Sequence, residues 1–201
     1  LAGLLFTTTK TQAIAKQACE NRKGPQKMQV SYPKLIFAGL LTLYFIWIAL
    51  TPMEGSFLDL VDLPIHETGH LLFRPFGEFL MIAGGSLFQV IVPAAFFGYF
   101  VWHLKYYSAA IVLFWVGQSL INVYIYAADA QVMQLVLLGG LTGSEGSFHD
   151  WNFMLSSLGL LSSTSLIAGL IRAAGTLTII AAAIFSIYYS FVPGPESNLD
   201  L

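Results

Sequence analysis

The chain has 201 residues, 56% of them hydrophobic and only 10% charged, with a formal net charge of −2. A soluble domain carries about 25% charged residues, so this composition belongs to an integral membrane protein. No basic patch interleaved with aromatics offers a nucleic-acid surface, and Cys19, the single cysteine, excludes an intrachain disulfide and a cysteine metal cluster.

Residues 1–31 are polar and basic, with Lys10, Lys16, Arg22, Lys23 and Lys27. They contain no long apolar core and do not read as a secretory signal peptide. A solvated tail is expected, and the positive-inside bias places it, with the N-terminus, in the cytoplasm. Tyr32-Pro33-Lys34 then opens an apolar run to Leu50. With its flanks this run approaches the ~20 residues that span a bilayer, and it starts a multi-pass membrane domain over 32–192.

Residues 57–74, FLDLVDLPIHETGHLLFR, are different. Asp59, Asp62, His66, His70 and Arg74 recur every three or four positions and form one polar stripe on a helix. In so apolar a chain that stripe must face protein or a wet cavity. His66-Glu67-Thr68-Gly69-His70 is an H-E-x-x-H motif. Its two imidazoles lie one turn apart on one face and can bind a single zinc ion. Glu67 lies beside them, where it can take a proton from a water at the metal. Asp59 or Asp62 can orient a histidine from behind. Pro64 predicts a kink or a fresh helix start.

A turn at Pro75-Phe76-Gly77 leads into a span over 78–103 that contains Ala83-Gly84-Gly85-Ser86. Those small residues let another backbone approach closely. Gln89, one turn beyond Gly85, reads as a packing residue or a hydrogen-bond partner for a bound peptide. His103, among Trp102, Lys105, Tyr106 and Tyr107, reads as interfacial rather than as a ligand. The next span, 108–128, carries Asn122 near its end and Asp129 just after it. A glycine-rich loop over 139–148 ends at His149-Asp150-Trp151-Asn152. Asp150 or Ser147 can cap the following helix, and His149 or Asp150 can complete a metal site. The third ligand therefore stays open among His149, Asp129 and Asp150. The last span, 165–192, contains Arg172, either snorkelling or paired with a carboxylate, and residues 193–201 form a polar tail.

The loop at 140–150 reaches the motif only if both lie on one side of the membrane. That is met when the motif helix is re-entrant and does not cross. The expected fold is therefore all-α, with four to five transmembrane helices plus a short polar motif helix.

On HETGH, the AGGSLFQ run of the next helix and the NVYIYAADA segment after it, the chain resembles the site-2 protease family of membrane-embedded zinc metalloproteases. The resemblance covers roughly residues 57–152. It implies that His66, His70 and an aspartate from a later helix bind zinc and that Glu67 activates water. Asn122 and Asp129 then stand near the family's N…LDG segment, whereas GGLTGSEGSFHDW lies outside the common pattern. The expected activity is zinc-dependent hydrolysis of a peptide bond in or near the membrane, on a membrane protein or peptide substrate unwound beside Gly84 to Gln89. The rival expectation is a non-catalytic helical subunit of a larger membrane complex, photosynthetic or respiratory, that keeps a peptidase-like fold beside other membrane subunits.

Overall fold

A computed structural model describes residues 30–52 and 56–191. The expected basic tail, except its last two residues, and the C-terminal tail fall outside them. Regular structure among the described residues is helical: α1 (Tyr32–Leu50), α2 (Asp59–Phe73), α3 (Glu78–Trp102), α4 (Tyr106–Ala128), α5 (Asp150–Ser157) and α6 (Thr164–Phe191). Four of these helices, α1, α3, α4 and α6, are long and apolar enough to cross a membrane. The chain is an all-α, multi-pass membrane protein.

Side-chain and backbone contacts fix which ends lie together. The Ser31 N–H donates to the Ser190 carbonyl at 3.0 Å. The Tyr107 hydroxyl donates to the Lys34 carbonyl at 2.8 Å, and the Tyr106 and Tyr189 rings stack with centroids 5.3 Å apart. The start of α1, the α3–α4 turn and the end of α6 therefore share one face. At the other, the Asn152 amide donates to the Ala130 carbonyl at 2.8 Å and the Gln131 amide to the Leu161 carbonyl.

The apolar core joins α1, α4 and α6. Phe114, Ile121, Ile179 and Ala182 are buried with Phe45 and Ile48, and Phe45 stacks on Phe114. Most of the outer surface is apolar too, including Leu43, Leu166 and Leu177. That is the surface a bilayer solvates, so packing rather than water exclusion holds these helices together. Arg172 pairs with no carboxylate among the described residues and reaches toward the end of α1, as a snorkelling side chain does. Its guanidinium reaches the Ala49 and Leu50 carbonyls at 3.3 and 3.5 Å and lies 5.4 Å from the Tyr124 ring centroid. A cation there satisfies the carbonyls left bare at the end of α1.

The motif helix α2 is not one of the four apolar helices long enough to cross. Its 15 residues measure about 22 Å. Its first turns sit against the middle of α4: Asp59 accepts from Gln118 at 2.7 Å and Asn122 at 3.0 Å, and Asp62 accepts from Trp115 at 2.8 Å. Its last turns lie beside the beginning of α3. The helix rises from within the bundle to the face that carries Asp129 and Asp150, then turns at 74–77 into α3. Pro64 lies inside the helix, which continues through it.

Close approach of α2 and α3 depends on glycine. A Cβ on Gly69 would lie 2.2 Å from the Gly84 carbonyl oxygen, and one on Gly84 would meet Phe73 Cβ at 2.6 Å. Backbone cannot yield as a flexible side chain does, so Gly69→Ala must push the helices apart. Overpacking of this kind costs about 1–3 kcal/mol. The expected result is a lowered thermal unfolding midpoint in detergent, measured beside wild type by tryptophan fluorescence.

Candidate metal centre

The 3.6-residue helical period brings His66 and His70 onto one face of α2, with ring centroids 4.8 Å apart. His70 Nδ1 lies 2.9 Å from the Met81 carbonyl oxygen. A carbonyl only accepts, so Nδ1 carries the hydrogen and neutral His70 presents a bare Nε2. His66 Nδ1 faces Gln89 Oε1 at 3.1 Å, which leaves its Nε2 bare in the same way.

Both Nε2 atoms meet one atom. Asp150 Oδ2 is 3.2 Å from His66 Nε2 and 3.2 Å from His70 Nε2. Asp150 comes from the first turn of α5, across the 129–149 loop, and is buried. Its backbone N–H donates to the Tyr126 hydroxyl at 3.0 Å, which anchors the carboxylate to α4. Glu67 completes the cluster. One ligand atom from each of His66, Glu67 and His70 can be chosen so that all lie within 4.8 Å of one another.

Space for an ion depends on Gly85. A Cβ there would stand 2.5 Å from His66 Nε2 and 2.7 Å from His70 Nε2. The donor set of two imidazole nitrogens and a carboxylate oxygen is one that zinc favours. His66, His70, Asp150 and Glu67 thus offer a set of nitrogen and oxygen donors that could hold a metal ion.

The other two candidates for third ligand have different partners. His149 Nδ1 accepts the Asn152 N–H at 3.2 Å, capping α5, and its Nε2 lies 3.3 Å from Asp129 Oδ2. With Nδ1 accepting, Nε2 carries the hydrogen and donates to Asp129. Burial lowers the His149 imidazole below its ordinary value, against the opposing pull of Asp129. Asp129 also accepts the Gln134 and Leu135 backbone N–H groups at 2.9 and 2.8 Å. The two residues brace the loop that delivers Asp150. The cap falls to His149, not to Asp150 or Ser147.

Gln89 is also spent inside the protein, between His66 and Asn122, and is 2% exposed. Gly84, Gly85 and Ser86 are buried under Phe73, the two histidines and Trp151, whose indole donates to Ser86 at 3.1 Å. Within the 84–89 run Leu87 is exposed. Asp62 holds Trp115 and Ser119 rather than a motif histidine.

Open space borders the histidines, with Met81, Ile82 and Gln89 of α3 at its wall. A cavity of about 720 Å³ is lined by His66, Glu67 and His70, by Leu60 and Leu63 of α2, and by residues 135–138 and Phe148 of the loop. Ligand sites span roughly 300–1,000 Å³. The loop forms its lip as a short hairpin, with the Leu137 N–H on the Leu141 carbonyl at 2.9 Å. Glu67 makes no side-chain hydrogen bond among the described residues and faces this cavity with its carboxylate uncommitted.

Sequence reasoning did not single out Tyr126, the Met81 carbonyl or the clearance role of Gly85. Only the last had a visible signal, the glycine pair on the helix after the motif. Comparison with protein-family models, with curated proteins and with solved structures gave no match to this chain.

Gly85→Ala tests the site separately from the fold. The added methyl meets imidazole tips rather than backbone, so the helices need not separate. The variant is expected to purify with wild-type helicity by circular dichroism. Its zinc affinity should fall at least about tenfold, the scale on which disturbing a metal site registers, as measured by competition with a chelating dye.

Proposed function

We propose that the chain is a membrane-embedded zinc peptidase of the site-2 protease type, with His66, His70 and Asp150 as metal holders and Glu67 as general base. The observation that carries this reading is the convergence of two hydrogen-bond-oriented imidazole nitrogens on one carboxylate oxygen beside a free glutamate in a cavity. When bound, zinc would lower the pKa of a water toward ~7 and polarise the scissile carbonyl.

The chain's own residues do the rest. The Met81 carbonyl and Gln89 keep the histidines facing the cavity. Glu67, unpaired, takes the proton of the attacking water at a carboxylate oxygen and gives it to the leaving amide nitrogen. Leu60, Leu63 and the 135–138 hairpin offer an apolar bed for an extended stretch of a membrane-borne peptide. With the tail face on the cytoplasmic side, as the positive-inside bias favours, the metal centre lies toward the opposite side.

Glu67→Gln separates an enzyme from a binding subunit. The amide keeps size and polarity but cannot accept the proton. The variant is expected to hold one zinc per chain by atomic emission. Cleavage of casein and of fluorogenic transmembrane peptides in detergent should drop about 10²–10⁴-fold, the usual share of general base catalysis. Undiminished cleavage would remove Glu67 from the chemistry. Absence of cleavage by wild type, with zinc and a co-purifying membrane partner present, would favour the non-catalytic subunit.

A further inference from the structure

We infer that Asp59, Asn122 and Gln89 form a one-way hydrogen-bond relay that keeps the hydrogen of His66 on Nδ1, so that Nε2 stays bare toward Asp150. Its importance for metal binding rests on the zinc reading above; the tautomer itself does not.

The direction of the relay follows from its first member. Asp59 accepts from the Ser56 backbone N–H, the Ser56 hydroxyl at 2.8 Å, Gln118 Nε2 at 2.7 Å and Asn122 Nδ2 at 3.0 Å. A carboxylate so placed only accepts. Asn122 must therefore turn its NH₂ toward Asp59, which leaves its carbonyl oxygen to face Gln89. The 2.7 Å contact there forces Gln89 to present its NH₂ to Asn122 Oδ1. Gln89 Oε1 is then left for His66, and at 3.1 Å it accepts from Nδ1. Reversing either amide would set two oxygens or two NH₂ groups against each other in a buried site, where an unmade hydrogen bond costs most.

The relay leaves α2 at Asp59, passes through α4 and α3, and returns to α2 at His66, seven residues further on. His70 needs no such device, because the Met81 carbonyl accepts from it directly. His66 sits where α3 is already in its helical interior, with its carbonyls engaged along the helix, so an amide side chain must supply the acceptor. Asn122 and Gln89 are thus positioning residues that act through His66 and touch no substrate.

The test exploits polarity. Asn122→Leu removes the middle link without touching His66. Gln89 is then free to turn, and zinc affinity should fall about tenfold or more. The double variant Gln89→Glu/Asn122→Leu places an acceptor-only group beside Nδ1 that needs no orienting. Its zinc affinity should return to within about threefold of wild type. Gln89→Leu, which removes the last link, should lose affinity as Asn122→Leu does and serves if that variant does not fold. A merely structural role for Asn122 would leave the double variant as weak as the single. An Asn122→Leu protein with wild-type affinity would overturn the relay.

Imidazole ¹⁵N NMR of metal-free protein, at a pH where the rings are neutral, reads the tautomer without zinc. The His66 hydrogen is expected on Nδ1 in wild type and redistributed in Asn122→Leu. A wild-type hydrogen on Nε2 would overturn the relay whatever the metal result. Failure of wild type to bind zinc, with the tautomer as expected, would sink the zinc reading and leave the relay standing.

Discussion

Two bare imidazole nitrogens and a carboxylate oxygen meeting at 3.2 Å in a largely buried site create a demand for positive charge. Lone pairs in such proximity repel unless a cation lies among them, and the effect is stronger in a membrane interior than in water. A proton answers it in part by charging His70, whose imidazole the hydrogen bond to Asp150 pulls up to about 9, against the opposing effect of burial. One divalent ion satisfies all three atoms together. Much of the remaining structure can be understood as the means of keeping these atoms in place.

Each atom is held from a different direction. The Met81 carbonyl fixes His70 from α3, the Gln89 amide fixes His66, and the Tyr126 hydroxyl anchors the backbone of Asp150 from α4. Gly69 and Gly84 set the α2–α3 separation, and Gly85 clears the space in front of the rings. Further back, Asp59 and Asp62 lock the start of α2 against the middle of α4. The aspartates of the polar stripe are therefore consumed by internal hydrogen bonding, the histidines border the cavity, and Arg74 at its end is exposed. That explains how a helix with two aspartates in its first turn can start within an apolar bundle.

The elements dictated by local periodicity were legible in the sequence. The four apolar spans follow from length and hydropathy. The histidine pair follows from the 3.6-residue repeat, and the meeting of the late loop with the motif from requiring both on one side. The third member of the cluster was not legible as a single residue. Asp129 and His149 bound one loop and Asp150 opens the helix after it, and only the loop's folded path decides which of the three faces inward. His149 turns its Nδ1 to the Asn152 N–H and its Nε2 to Asp129, which leaves Asp150 for the histidines. Gln89 and Arg172 were ambiguous for a related reason. Each finds its partners on other helices: His66 and Asn122 for the one, the end of α1 for the other. Spacing along one segment carries no information about such partners.

The most direct measurement is zinc-edge X-ray absorption on detergent-purified protein, wild type beside Asp150→Ala. Two imidazole nitrogens at about 2.0–2.1 Å and one carboxylate oxygen at about 2.0–2.2 Å are expected in wild type, with the carboxylate oxygen lost in the variant. Protein that carries no stoichiometric zinc, or a zinc spectrum unchanged by removal of the Asp150 carboxylate, would contradict the central claim.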